Sequence, residues 1–328
     1  MSLFSYFIIT LSFVFIISTL LEKMLIPFFR LIHAGQPIYE TGPSWHKSKS
    51  GTPTMGGLAF LVAVTVTLTA VFLIALSENT VMNMLPLIFT LLFAVLNSSV
   101  GVLDDIKKLK QKRNEGLTPF QKLILQTAFA GMYLALMRIY GFIDEKIAFP
   151  FFNTEIDLGF FYYFLMIFMI VGIVNCANLT DGIDGLASSV AFIIGCAFAF
   201  FAFRFLSFNT AVLSGAIIGS AISFLIFNHH PALIFMGDTG SLFFGALTVG
   251  AAFTLGKPLI ILFLGIIYVI EGVSDVLQVI HYKRTGKRIF KMAPLHHHFE
   301  KSGWTENQIC LLFGVITVAA SAIAYFAF

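Results

Sequence analysis

The stretch "MNMLPLIFTLLFAVLNSSVGVLDDIKKLKQKRNEG" (82–116) sets an apolar run against a cationic loop. Apolar residues dominate as far as Leu103. Asp104 and Asp105 follow at once, then Lys107, Lys108, Lys110, Lys112 and Arg113, opposed only by Glu115. A helix needs about 20 apolar residues to cross the hydrocarbon core of a bilayer. Carboxylates at its end are costly unless hydrated, paired or metal-bound. The stretch therefore reads as a membrane span that delivers two acids to a basic, water-facing loop.

The rest of the chain has the same character. Of its 328 residues, 58% are hydrophobic and only 11% are charged, whereas a soluble domain is about a quarter charged. Ten apolar stretches run roughly over 3–21, 57–76, 82–103, 119–137, 159–177, 186–203, 209–227, 239–256, 258–280 and 308–328. None alternates as a barrel strand does. The expected fold is an all-α polytopic membrane protein of about ten transmembrane helices, in one domain over 1–328. The first stretch has no basic segment before it and no small-residue cleavage site after it, so it reads as a retained span. The segment "DEKIAFPFFNTEIDLG" (144–159) reads as a short hairpin. Cys176, Cys196 and Cys310 lie in or beside apolar runs without ligand spacing, which suits buried thiols.

Loop charges orient the spans. With ten of them, the loops after the odd-numbered spans share one face. These loops hold sixteen of the twenty Lys and Arg residues, counting Lys122 at the far edge of the second, and leave Arg138, Lys146, Arg204 and Lys257 for the other face. The positive-inside rule puts the odd loops in the cytoplasm and both termini outside. A net charge of +3 is too small to imply a nucleic-acid partner.

The acids gather on the basic face. The segments "NCANLTDGIDGLA" (175–187), "FNHHPALIFMGDTGS" (227–241) and "MAPLHHHFE" (292–300) add Asp181, Asp184, Asp238 and His296–His298 to Asp104 and Asp105. Hard carboxylate oxygens suit Mg2+, which is usually held by one or two carboxylates together with substrate phosphates. Nearby Lys and Arg suit an anionic substrate. A cytoplasmic phosphate site with a divalent cation follows. The glycine-rich turns are not a P-loop, because the GxxxxGK[ST] pattern is absent. Three successive histidines cannot share one helical face and make poor zinc ligands as a set. Each feature has a plainer reading: counterions for Lys107 and Lys108, turn formers in "DGIDG", a helix cap at Asp238, interfacial packing at His229 and His230. Five carboxylates on one face argue against all of these at once.

The motifs "SGTPTMGG", "GVLDDIKK", "NLTDGIDGLA", "FMGDTGS" and "APLHHHFEKSGW" together closely resemble the phospho-N-acetylmuramoyl-pentapeptide transferases. This family lies within the polyprenyl-phosphate N-acetylhexosamine-1-phosphate transferase superfamily. The resemblance covers nearly the whole chain. It implies an Mg2+-dependent transfer of phospho-N-acetylmuramoyl-pentapeptide from its UDP-activated form to undecaprenyl phosphate, giving lipid I and UMP in peptidoglycan synthesis. It also implies a homodimer in the bacterial inner membrane with a cytoplasmic active site. By the same resemblance Asp238 is the metal ligand, Asp104 faces the lipid phosphate, and Asp105 positions substrate or completes the charge network. His297 joins these three as the catalytic histidine. Asn178, Asp181 and Asp184 line the nucleotide pocket, Phe235 stacks on uracil, and Lys49, Lys108, Lys112 and Lys122 contact the nucleotide or phosphates. His296 and His298 support substrate binding. Glu271 and Asp275 place part of span 9 against protein or a polar crevice, with Gly272 as its expected bend.

Two other readings compete. A transferase of N-acetylglucosamine-1-phosphate would share the aspartate motifs, but the triple histidine and "FEKSGW" disfavour it. A secondary transporter would use Glu271 and Asp275 for ion coupling, but the acids cluster on one face and no inverted repeat is evident.

Overall fold

A computed structural model describes residues 2–32, 34–35, 49, 51–77, 81–111, 116–152 and 154–328. The helices, in chain order, are α1 (Leu3–Leu31), α2 (Gly57–Ser77), α3 (Val81–Gln111), α4 (Pro119–Ile139), α5 (Phe161–Thr180), α6 (Leu186–Arg204), α7 (Phe208–Asn228), α8 (Gly237–Thr254), α9 (Ile261–Leu264), α10 (Ile266–Thr285), α11 (Leu295–Glu300) and α12 (Glu306–Ala327). Each of the ten expected apolar stretches falls on helix. Among the described residues, eight helices are long and apolar enough to cross a membrane, and the bent pair α9–α10 makes a ninth candidate. The small and polar residues of α8 keep it outside that set, although it packs between α3 and α5 and is almost wholly buried.

Local chemistry sets the helix ends nearest the site. Thr118 caps α4 and Thr305 caps α12, each in a reciprocal box with the Gln three residues on, Gln121 and Gln308. Pro119 stands in the first turn of α4, where a missing N–H costs nothing. The expected hairpin forms, as strands β1 (Lys146–Phe149) and β2 (Thr154–Asp157) paired antiparallel with Lys146 opposite Asp157. The expected ninth span is not straight. The chain bends by 78° between Pro258–Leu264 and Ile266–Thr285, so Gly265 rather than Gly272 carries the bend. Gly272 instead admits close packing of α10 on α5: a Cβ there would lie 2.1 Å from Cys176 Sγ.

Candidate active site

The crossing of α3 and α8 builds the first half of the site. Gly101 makes it close, since a Cβ there would lie 2.3 Å from the Asp238 carbonyl oxygen. One turn earlier, the Ser98 hydroxyl donates to the Thr239 carbonyl at 2.8 Å. The buried Asp105 carboxylate then accepts the backbone N–H of Asp238 (3.2 Å), the backbone N–H of Thr239 (3.0 Å) and the Thr239 hydroxyl (2.7 Å). Free N–H groups at a helix start favour an anionic acceptor. Asp105 thus caps α8 from a neighbouring helix and fixes where Asp238 stands.

Asp104 is fully buried. Its Oδ1 accepts the Leu117 N–H at 2.6 Å. Its Oδ2 faces two ammonium groups, Lys108 at 2.7 Å, one turn along α3, and Lys122 at 3.1 Å, in the first turn of α4. The same two lysines hold Asp238: Lys108 is 3.3 Å from its Oδ1, and Lys122 pairs with its Oδ2. Asp104, Asp105 and Asp238 can each offer one oxygen within 4.8 Å of the others. This hard-oxygen set fits a divalent cation. Asp105 is committed to the α8 backbone, so Asp238 and Asp104 have the oxygens that an entering cation would take from the lysines, leaving the ammonium groups for a phosphate.

The turn after α5 builds the second half. Asn178 donates from Nδ2 to Ser241 Oγ at 2.9 Å, tying the end of α5 to α8. Burial, then the negative charges of Asp238, Asp105 and Asp184, push the Asp181 carboxyl well above the ordinary carboxyl range. Asp184 is buried. Its Oδ1 lies 2.7 Å from Lys49 Nζ, and its Oδ2 lies 2.9 Å from His230 Nδ1 and accepts the Ala232 N–H at 3.1 Å. Glu306 Oε2 accepts from Lys49 Nζ and from the Asp184 N–H, both at 2.7 Å. Asp184, His230 and Glu306 form a second group able to hold a divalent cation, and here the Lys49 ammonium bridges its two carboxylates. Asn228 braces the turn by accepting the Gly185 N–H at 2.9 Å and donating to the Ile234 carbonyl at 2.9 Å. Phe235 is half-buried next to it, its N–H bonded to the Pro53 carbonyl at 2.8 Å.

The three histidines take different partners, although the rings of His296 and His297 pack together with centroids 4.1 Å apart. His296 is fully buried, with Nδ1 2.6 Å from Glu271 Oε2. His297 Nδ1 is 2.6 Å from Glu300 Oε2. His298 Nδ1 accepts the Lys291 N–H at 3.1 Å. The triple meets the aspartate–glycine turn through His296, whose ring fills the space beside Gly182.

Asp104, Asp105, Asp238, Lys108 and Lys122 therefore come together, and Lys49 joins Asp184. Lys112 lies outside the described residues. Sequence reading missed Glu306 and took His230 as packing. Glu306 sits in the first turn of a capped helix, which explains an acid there without any partner. Its bond to the Asp184 N–H closes 122 residues of chain, a distance no local motif reports.

Comparison with known proteins shows which family the chain resembles. The pattern of the Glycosyl transferase family 4 matches residues 87–256, from within α3 to the end of α8. Phospho-N-acetylmuramoyl-pentapeptide-transferase signature 1 matches residues 49–61, which include Lys49. A phospho-N-acetylmuramoyl-pentapeptide-transferase of Bacillus subtilis (strain 168) is 45% identical over 299 residues, 91% of this chain and 90% of its own. That of Clostridium perfringens (strain 13 / Type A) is 41% identical over 311 residues, 95% of each chain. That of Halalkalibacterium halodurans is 41% identical over 320 residues, 97% of this chain and 96% of its own. With likeness of this extent across nearly the full length, the chain belongs to the phospho-N-acetylmuramoyl-pentapeptide-transferase family.

Proposed function

We propose that this chain is a phospho-N-acetylmuramoyl-pentapeptide transferase working at the cytoplasmic face of the bacterial inner membrane. It joins UDP-N-acetylmuramoyl-pentapeptide to undecaprenyl phosphate, giving lipid I and UMP. The observation that carries this reading is the meeting of Asp104, Asp105 and Asp238 with Lys108 and Lys122 at the ends of α3, α4 and α8. Two anionic reactants need such an array of cations and metal-ligating oxygens at a membrane boundary.

In the reaction a lipid phosphate oxygen forms a bond to the sugar-side β-phosphorus. The bond from that phosphorus to the bridging oxygen breaks, and UMP leaves with the electron pair. Lys108 and Lys122, already between Asp104 and Asp238, draw the lipid phosphate into line. A phosphate monoester is largely ionised at pH 7, with its second pKa about 6. Asp104 therefore contributes mainly by aligning the phosphate, and takes its proton when one is present. Asp238 would hold Mg2+, which when bound would supply positive charge to polarise the diphosphate and offset the charge on the leaving UMP. Asp105 keeps Asp238 in place. Direct attack needs no aspartyl intermediate, because the membrane-anchored nucleophile is brought beside the electrophile.

The nucleotide sits by the aspartate–glycine turn, with Asn178, Asp181, Asp184 and Phe235 around uridine and Lys49 released to the diphosphate. His297 serves the transferred phosphoryl group, and His296 and His298 support substrate binding. The chain is one domain of ten spans with both termini outside, and it works as a homodimer. Offering the purified protein UDP-N-acetylmuramoyl-pentapeptide and UDP-N-acetylglucosamine, with undecaprenyl phosphate, with and without Mg2+, tests the proposal. Magnesium-dependent UMP release from the first substrate is expected. Exclusive turnover of the second, or substrate flux without covalent turnover, would overturn it.

A further inference from the structure

Glu271 lies in α10, about two turns beyond the bend at Gly265, and is fully buried. Both of its oxygens serve one residue. Oε1 accepts the His296 backbone N–H at 3.1 Å, and Oε2 stands 2.6 Å from His296 Nδ1. Gripped at backbone and ring together, His296 cannot rotate without breaking one contact. An ionised Glu271 offers only acceptors, so Nδ1 donates and Nε2 of a neutral ring carries the lone pair.

That Nε2 has no hydrogen-bond partner among the described residues, although the whole residue is buried. Buried polar atoms are hydrogen-bonded as a rule, and an exception calls for an explanation. The nitrogen is aimed at the turn between Asp181 and Asp184: a Cβ on Gly182 would lie 2.1 Å from it. Gly182 is thus the residue that lets the ring reach the turn. The clamp is itself held rigid, because Cys176 of α5 packs into the gap left by Gly272 of α10.

We propose that Glu271 is a positioning residue for the nucleotide sugar, acting through His296. It fixes the ring tautomer and aims Nε2 at the aspartate–glycine turn, where an O–H or N–H donor of the bound nucleotide sugar completes it. This rests on the transferase reading above and names a residue that reading leaves idle.

Glu271→Gln tests it. The amide keeps the size and can still accept the His296 N–H, but its NH2 faces Nδ1 and reverses the tautomer, turning Nε2 into a donor. Outer groups that orient metal-ligating histidines typically carry 10–100-fold effects, and the lower end of that range sets the scale here. The expected result is a rise of about tenfold or more in KM for UDP-N-acetylmuramoyl-pentapeptide, with KM for undecaprenyl phosphate and the thermal midpoint in detergent unchanged. Gly182→Ala, which pushes on the same nitrogen, gives the same KM rise, and the double variant is no worse than either single one. A wild-type KM in Glu271→Gln, or strictly additive effects in the double variant, overturns the proposal. A wild-type protein that does not turn over this nucleotide sugar sinks the transferase reading instead, so the two failures are distinct.

Discussion

Asp105 on α3 accepts the backbone N–H of Asp238 at the start of α8, at 3.2 Å. The residue that would hold the cation is therefore placed through its main chain, while its carboxylate stays free to face Lys108 and Lys122. Capping and ligation, which an aspartate pair read from sequence blends together, are divided between two residues. Asp105→Asn turns an NH2 group toward donors. It should cost about 1–2 kcal/mol, by analogy with a lost cap, and lower the thermal midpoint by a few degrees along with UMP release. Unchanged stability and unchanged turnover would remove Asp105 from this role.

Asp238→Asn leaves that backbone arrangement intact and changes only the side chain. Transfer should fall by at least about a hundredfold, in the range of a lost essential electrostatic group. UMP release should not recover at high Mg2+, and nucleotide binding, followed by calorimetry, should persist. Near-normal turnover at limiting Mg2+ would show that Asp238 is not the metal ligand.

Lys122 competes with any cation for the oxygens of Asp104 and Asp238. Lys122→Met should thus act in opposite directions on two measurements. The Mg2+ concentration for half-maximal activity falls several-fold, while KM for undecaprenyl phosphate rises about tenfold, equivalent to 1.4 kcal/mol. A shift of both in the same direction would speak against a shared site.

The raised Asp181 carboxyl has a stability consequence. Between the ordinary carboxyl range and its raised value in the fold, the folded chain holds more protons than the unfolded chain. Stability therefore declines as pH rises through that window. In metal-free buffer, Asp181→Asn should have a higher thermal midpoint than wild type at neutral pH, by roughly 1–2 °C for each kcal/mol relieved in a chain of this length. The gap should close as the pH is lowered toward 4. Parallel curves for the two proteins from pH 4 to 8 would contradict it.

The helical pattern was legible because lipid tolerates few alternatives: each of the ten stretches became helix, and among the described residues eight helices, or nine with the bent pair, are long and apolar enough to cross a membrane. The bend at Gly265 was not, because in "LIILFLGIIYVI" (259–270) the chain is as apolar on one side of it as on the other. In the site, acids bounded by glycine stood out against an apolar background, and Asp104, Asp105 and Asp238 did meet. What the sequence could not apportion was their duties. Whether Asp105 points at a backbone or at a ligand depends on how closely α3 approaches α8, and that is set by Gly101, a residue with no chemistry of its own. Glu306, and what Glu271 serves, were hidden for a related reason. Their partners, Lys49, Asp184 and His296, lie in other helices or loops.

The bonds that Glu306 makes to Lys49 and to the Asp184 N–H tie the last helix to two segments synthesised long before it. During biosynthesis the earlier helices can enter the membrane while this corner of the site is still missing its final acid. Until α12 is inserted, Asp184 is the one carboxylate that Lys49 meets among the described residues. A nascent or truncated chain ending before residue 306 would carry every motif aspartate and all three histidines, yet lack the acid that joins Lys49 to the Asp184 N–H. Late closure would leave the helices before α12 in place while the corner formed by Lys49, Asp184 and Glu306 is still open.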